Sequence, residues 1–386
     1  GTADEAALLN FLPKLVVRLR ADRVRGVIGA QAATGYVTFC LLGNGAESIG
    51  WDSQRRTAGY LVVMSLEGEV VAVRPTDSVS TTNRTDNDDA FSPDDNAEEW
   101  GISNKVFYNA LKIRDPHRVL LGANYGGDNG NGPVQMWDWV TDELHTLGGA
   151  DMGLGTYTSH DLQWVSAQDY DRHLSAHLGD DDASDSGDAN GYNGTRDRIW
   201  RPSDSLNALY AVDANSGHTV RYMTFDQRTF DMNHFQVLEG GVAIVNGRVT
   251  GSFRKVDLAT GRTLWVCGGE YGNFTIVDLD GKAWAPKTKF LFFGQHNLEY
   301  FGDGEFLMFD NSFNYFADTF VSATSRPLRL QLDERAYVAR ITWAFETGVH
   351  SNVYGDADLM PTGHVVTCYW PNQLSTAMKE QFDARI

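Results

Sequence analysis

The chain of 386 residues is poor in cysteine, proline and positive charge. Three cysteines, Cys40, Cys267 and Cys368, are too few for a disulfide framework and fit no zinc-ligand spacing. Each lies in an apolar run (VTFCLL, LWVCGG, VVTCYW), so buried thiols are expected, with room for one disulfide. Lys and Arg number 32 against 51 Asp and Glu, a formal net charge of −19. A field of that sign repels nucleic acid and anionic membrane surfaces, and neither is expected as a partner. It also repels small anions, so an anion site would need Arg or His placed locally. No run approaches the ~18 apolar residues of a membrane span.

What the chain does have is aromatic and glycine-rich: 20 Phe, 15 Tyr, 10 Trp and 39 Gly, with 42% hydrophobic residues overall. Aromatic strand residues separated by glycine turns favour an all-β protein. Residues 1–34 open with a helix-like segment broken at Pro13, and from Gly35 the rhythm becomes β. Residues 76–100 are polar and acidic and read as a surface loop, and 166–205 as an acidic insertion in which 167–179 could form a short helix. GGDNGNG (126–132) is a turn. Three sequons, at Asn83, Asn193 and Asn273, agree with a secreted glycoprotein.

Two phrases repeat. One puts a histidine at the mouth of a short apolar strand: SHDLQWV around His160, MNHFQVL around His234, and GQHNLEY around His296. A related phrase without the histidine is DADLMPTGHVV. The other phrase runs a strand into an Asp, a short turn and a second strand: LYAVDANSGHTVR, RKVDLATGRTLW and, more loosely, LRLQLDERAYVARITW. The first reads as the inner part of a propeller blade and the second as its outer hairpin. About five or six units occur, roughly 60 residues apart. Such units cannot bury their faces alone, so residues 1–386 are expected to form one domain, with a decorated β-sandwich as the alternative.

In a propeller the inner strands line a central channel, so residues at equivalent strand starts converge although far apart in sequence. His160, His234 and His296 would face one another there, with Arg248 on the strand after His234. Arg and several His can bind a tetrahedral oxyanion, and one imidazole can act as nucleophile while another moves a proton. A three-histidine Zn²⁺ or Cu²⁺ site competes with this reading, against which Arg248 argues electrostatically.

The run from Asp231 to Asn311 resembles the nucleotide-independent arylsulfotransferase family. The residues that carry the resemblance are DMNH, NGR, VDLATGRTLWVCGG, QHNL and FDN, extended by SHDLQ upstream and GDADLMPTG downstream. It covers about residues 155–370 well and the first 150 loosely. The resemblance implies a six-bladed propeller, secreted or periplasmic, in which His296 takes up a sulfuryl group and His234, His160 and Arg248 hold sulfate oxygens and manage the proton. An aryl sulfate donor and a phenolic acceptor are then the small-molecule partners, with no cofactor and a monomer or homodimer. Trp164, Phe235, Tyr300 and Phe313 are candidates to stack on an aryl ring. The chain departs from the family pattern at Asn297, where Asp is common and would orient His296, and at Met232-Asn233 before His234. Other readings are a non-catalytic propeller binding an anionic ligand, or a metal-assisted hydrolase or lyase. Within the insertion, Ser186, Asp188, Asn190 and Asp197 resemble a degenerate calcium loop, with a solvated acidic loop as the alternative. His173 and His177 have i, i+4 spacing but lack the Glu of a zinc-protease motif and read as surface residues.

Overall fold

A computed structural model describes residues 36–44, 56–65, 69–75, 106–125, 134–147, 161–170, 174, 197–203, 207–214, 219–227, 229, 231–288, 291–314, 317, 319–352, 354–360 and 363–369. The expected N-terminal helix, the 76–100 loop, the 126–132 turn, His160, His173, His177, Asp188 and Asn190 lie outside them, as does most of the 166–205 insertion.

The described chain is almost wholly β. Five antiparallel sheets follow one another. The first holds β1 (Tyr36–Asn44), β2 (Arg56–Ser65) and β3 (Val70–Pro75). The second holds β4 (Val106–Asp115), β5 (Arg118–Tyr125), β6 (Val134–Asp138) and β7 (Glu143–Leu147). The third holds β8 (Gln163–Val165), β9 (Arg198–Ser203), β10 (Ala208–Asp213) and β11 (Thr219–Thr224), with α1 (Ala167–Asp169) after β8. The fourth holds β12 (Met232–Leu238), β13 (Val242–Gly247), β14 (Ser252–Asp257) and β15 (Thr263–Gly268).

Two short strands then precede the fifth sheet, β16 (Thr275–Val277) and β17 (Ala283–Trp284). The fifth sheet itself is β18 (His296–Gly302), β19 (Glu305–Asp310), β22 (Arg326–Asp333) and β23 (Val338–Ala344), with the small pair β20 (Phe313–Asn314) and β21 (Thr319–Phe320) inserted between β19 and β22. β16 pairs in parallel with the outer strand β23, so the connection out of the fourth sheet completes the edge of the fifth. A last hairpin, β24 (Asp356–Leu359) and β25 (Val365–Cys368), packs beside β18 and β19.

The order of the hydrophobic clusters makes this a propeller arrangement. Successive residues of a strand point to opposite faces, and here each face meets a different neighbour. Val119 and Leu121 pack against Leu61 and Val63 of the first sheet, whereas Leu120 between them packs against Leu162 and Ile199 of the third. Ala243 joins Trp200 and Leu209, while Ile244 joins Phe306 and Met308. Leu307 and Phe309 turn the other way, onto Ala357 and Leu359. Sheets stacked face to face in chain order, with both faces of each inner sheet buried, are blades. Among the described residues five such blades are formed.

The repeated Asp of the outer hairpins has a local cause. Asp257 Oδ1 accepts from Ala259 N at 3.0 Å, Thr260 N at 2.8 Å and the Thr260 hydroxyl at 2.7 Å. Asp333 does the same for Arg335 and Ala336, and Asp138 for Val140 and Thr141. An aspartate that satisfies turn amides fixes where a strand must reverse. Gly261 follows at φ +72°, where a Cβ would meet Thr224 O at 2.0 Å, so only glycine closes that hairpin against the preceding blade. The outer hairpins read from sequence are β10–β11, β14–β15 and β22–β23. Cys267 and Cys368 are free thiols, so no disulfide joins them. No described helix is long and apolar enough to cross a membrane.

Candidate functional site

The innermost strands, β4, β8, β12, β18 and β24, bring their charged residues to one place. Asp161, just before β8, is almost fully buried and serves groups of two other strands and its own neighbour. Its Oδ1 lies 3.4 Å from Lys112 Nζ of β4 and accepts from Leu162 N at 2.8 Å. Its Oδ2 lies 3.0 Å from His234 Nδ1 of β12 and accepts from Phe235 N at 2.9 Å. Burial by itself would raise this carboxyl, but the Lys112 ammonium, His234 and the backbone amide together bring it to about 2. Asp161 is therefore a fixed anion. Burial lowers the pKa of His234 despite Asp161, so its imidazole is neutral near pH 7. With Nδ1–H donated to Asp161, the lone pair resides on Nε2, which is sealed from water and finds no partner among the described residues.

Opposite this pair stand Glu299 of β18 and Asp356 and Asp358 of β24. Burial raises Glu299 to about 7, Asp358 and Asp161 adding to the rise while Lys112 opposes it. Asp356 is raised well above its ordinary value by burial and by the nearby Asp358, which burial raises as well. These carboxylates in turn raise Lys112, against the burial that would lower it. The channel thus holds one ammonium among four carboxyl groups, and part of that acid is kept protonated.

The sign for Glu299 gives a prediction. The folded protein holds this proton to about pH 7, whereas an unperturbed glutamate releases it near 4.5. Ionisation therefore weakens the fold progressively as pH rises through that window. Glu299→Gln, which mimics the protonated group, is expected to be more stable than the parent at pH 8 by on the order of 1–3 kcal/mol, and equal to it at pH 4. Urea unfolding at the two pH values checks this, and an equal difference at both would refute it.

His296, the first residue of β18, is held differently. Its Nδ1 lies 2.6 Å from Asn311 Oδ1 and 3.0 Å from Gly294 O. The Asn311 amide nitrogen donates to Ser351 O at 2.8 Å and Tyr354 O at 2.7 Å, which fixes which end of the amide faces the imidazole. Both groups beside Nδ1 are oxygen acceptors, so Nδ1 carries a proton, and in the neutral imidazole the lone pair is on Nε2. No acid takes the place that Asp holds in the family pattern; the amide of Asn311, in the FDN phrase, orients the imidazole. Asn297 instead takes φ +41° and donates to Ala357 O at 3.2 Å.

The two histidines sit at the same level of neighbouring inner strands. Buried Asn233 and Asn246 both donate to Gln295 O, at 3.1 and 3.0 Å, and Gln295 Nε2 returns a bond to Asn246 Oδ1 at 2.8 Å. Further along, Gln163 of β8 exchanges hydrogen bonds with Val237 of β12, and Gln236 of β12 with Tyr300 of β18. An inner strand has no sheet partner on its channel side, and an amide from the preceding blade supplies one. The glutamines of the repeated histidine phrase serve this purpose.

A cavity of about 340 Å³ opens between β4, β8, β12 and β18. Lys112, Arg114, Trp164, His234, Phe235 and Glu299 are among its walls. Of the aromatics expected near the ligand, Trp164 and Phe235 line it, whereas Tyr300 stacks on Phe306 at 4.8 Å and Phe313 on Phe320 at 5.0 Å. His296 and Arg248 are not among the lining residues. Arg248, expected to hold sulfate oxygens, forms an ion pair with Asp231. Asp197, the one described member of the calcium candidate, accepts from Ala167 N at 2.7 Å. Among the described residues no group of three or more His, Cys, Asp or Glu is arranged to hold a metal ion.

No protein-family profile matches the chain, and no curated protein matches it. Solved structures give distant likenesses. A periplasmic gluconolactonase of Pseudomonas aeruginosa is 9% identical with a TM-score of 0.41, over 90% of this chain and 81% of that one. The structure described as U3-55K is 9% identical with a TM-score of 0.39, over 85% and 73%. The Myxococcus xanthus glutaminyl cyclase is 13% identical with a TM-score of 0.32, over 65% and 76%. Scores this low fix neither a family nor an activity.

Proposed function

We propose that the protein is a sulfuryl-transfer enzyme that moves SO₃ from an aryl sulfate to a phenolic acceptor through His296. The observation that carries this reading is the fixed Nδ1–H of His296, which faces Asn311 Oδ1 and Gly294 O and leaves Nε2 as the nitrogen that can attack when the imidazole is neutral. That is the form a histidine nucleophile needs. In the first half-reaction Nε2 attacks sulfur, an N–S bond forms, and the S–O bond to the aryl group breaks with its electron pair going to the departing oxygen. In the second, the acceptor oxygen attacks the same sulfur and the N–S bond breaks. The acceptor's proton passes to His234, whose imidazole Asp161 holds in the base-competent tautomer.

Other parts of this reading rest on the sequence resemblance. A sixth blade is proposed with β24 and β25 as its inner strands, since they pack on the fifth blade as that blade packs on the fourth. Lys112 of the second blade and the carboxylates of β24 lie close enough to interact, which suits a closed ring. His160 and Arg248 as sulfate ligands, a secreted location and the absence of a cofactor belong to the same proposal.

The test is intact-mass and peptide mapping after incubation with an activated aryl sulfate and no acceptor, beside His296→Ala. One SO₃ on the peptide holding His296, absent in the variant and discharged by phenol, is expected. No adduct and no release of the aryl alcohol would overturn it. A second reading, a hydrolase or lyase that uses no covalent histidine, is favoured by the His234–Asp161 pair beside the cavity. It would give turnover without an adduct, and a chelator would show whether a metal takes part. A non-catalytic channel would give neither.

A further inference from the structure

The cavity wall carries a cation that the chemistry above leaves unused. Arg114, near the end of β4, is half-buried, lines the cavity and lies with its guanidinium 5.0 Å from the centre of the Trp164 ring. It forms no ion pair with any described residue. Most other cations near the channel are committed. Lys112 is 3.4 Å from Asp161, Arg198 is 3.0 Å from Asp213, and Arg248 pairs with Asp231. In a chain of net charge −19, an arginine facing a cavity without a carboxylate partner is out of balance with its surroundings.

The acids of the same wall do not neutralise it. The Asp169 carboxylate accepts from Ser166 Oγ at 2.6 Å while its backbone N–H donates to the same hydroxyl at 3.1 Å, and half-buried Glu299, on the same cavity, interacts with Lys112. Stacking on Trp164 restricts the guanidinium plane, which lowers the entropy lost when it grips a planar anion. The rest of the wall is mixed: buried Leu120, Leu162 and Phe235 back it, and Gln163, Ser166 and Gln236 add uncharged polar groups. A cavity of about 340 Å³ holds a single substituted ring and little more.

We propose that Arg114 is the specificity-determining residue of this cavity and that its ligand is a single-ring hydroxylated aromatic carboxylate. The carboxylate pairs with the Arg114 guanidinium, and the ring lies against Trp164. This binding goes beyond the sulfuryl-transfer reading and does not depend on it, because His296 does not line the cavity and no adduct on it is needed.

Isothermal titration of the full chain tests the proposal with para-hydroxybenzoate and para-hydroxybenzyl alcohol, which differ in the anionic group. The acid is expected to bind about tenfold more tightly than the alcohol, the strength of a charge-assisted pair in a partly enclosed site. Arg114→Gln should bring the ratio to about one, and Arg114→Lys should retain part of it. Near-ultraviolet circular dichroism confirms that both variants keep the parent fold. Equal binding of acid and alcohol by the parent overturns the proposal. So does a ratio unchanged in Arg114→Gln, or the absence of binding by either compound. If the acid binds as expected while the His296 peptide gains no SO₃, the sulfuryl-transfer reading fails and the anion site stands.

Discussion

Asp161→Ala is expected to destabilise the protein by about 3–5 kcal/mol at pH 7, the cost of stranding a buried charge with its hydrogen-bond donors. The variant leaves Lys112 without its nearest anion and two backbone amides, those of Leu162 and Phe235, without an acceptor. It also frees His234 Nδ1, so the imidazole loses the group that selects its tautomer. Because Asp161 is held at about 2 in the fold, its contribution is complete above pH 4 and is lost as pH falls towards 2. The gap between parent and variant should narrow over that interval. Urea unfolding between pH 2.5 and 7 measures it, and a gap below about 1 kcal/mol at pH 7 would mean that water or a neighbour replaces the carboxylate without loss. Asp161→Asn keeps the volume but can donate as well as accept, so ¹⁵N spectra of His234 in that variant report whether the tautomer is still fixed.

Asn311→Leu should remove at least about 99% of aryl-sulfate turnover, since a catalytic imidazole in the wrong tautomer loses orders of magnitude in rate. Asn311 is fully buried, and its amide links the β18 imidazole to the carbonyls of Ser351 and Tyr354. The leucine removes both of these bonds, leaving Ser351 O the one from Ser325 Oγ, for a stability loss of about 1–3 kcal/mol. Asn311→Asp separates the two effects. Its carboxylate can still accept from Nδ1, but it sets a second oxygen against two carbonyl oxygens and is tolerated only when protonated. Turnover by Asn311→Asp should therefore fall as pH rises, where a purely structural role would leave the profile flat. Parent-like rates in Asn311→Leu would mean that Gly294 O alone holds the imidazole.

The fourth blade was the most legible part of the sequence, for a physical reason. Its turns carry the whole signal locally: Gly240 and Gly241 at positive φ between β12 and β13, and Asp257 and Gly261 between β14 and β15. His234 at an inner strand's mouth was readable from the same repeat. Its partner was not. Asp161 stands next to the histidine singled out at 160, and the phrase drew the eye to the imidazole and away from the carboxylate beside it. A signal was present, because a charged residue opening an apolar strand needs a buried partner. Lys112, Glu299, Asp356 and Asp358 had no local signature at all. They meet only because alternate residues on inner strands point into one channel, and which strand is innermost depends on the fold of the whole chain. Arg248 has the complementary history: the repeat places it on the right hairpin, but nothing local in that repeat announces its ion pair with Asp231, seventeen residues earlier.

The parallel pairing of β16 with β23 bears on how the molecule survives in concentrated solution. The outer strand of a blade offers a row of unpaired amides to any passing chain, and Trp343 and Phe345 at that rim are exposed. β16 and β17 occupy the first half of this edge and end it in a strand of two residues. There Asp278 accepts from Trp284 Nε1 at 2.7 Å, and Lys282 sits 3.5 Å over the same ring. A very short, charged terminal strand is a poor template for further pairing. Pairing of another chain with the covered half of this edge is thus disfavoured by the chain itself, while Trp343 and Phe345 beyond it rely on the mutual repulsion of strongly anionic molecules.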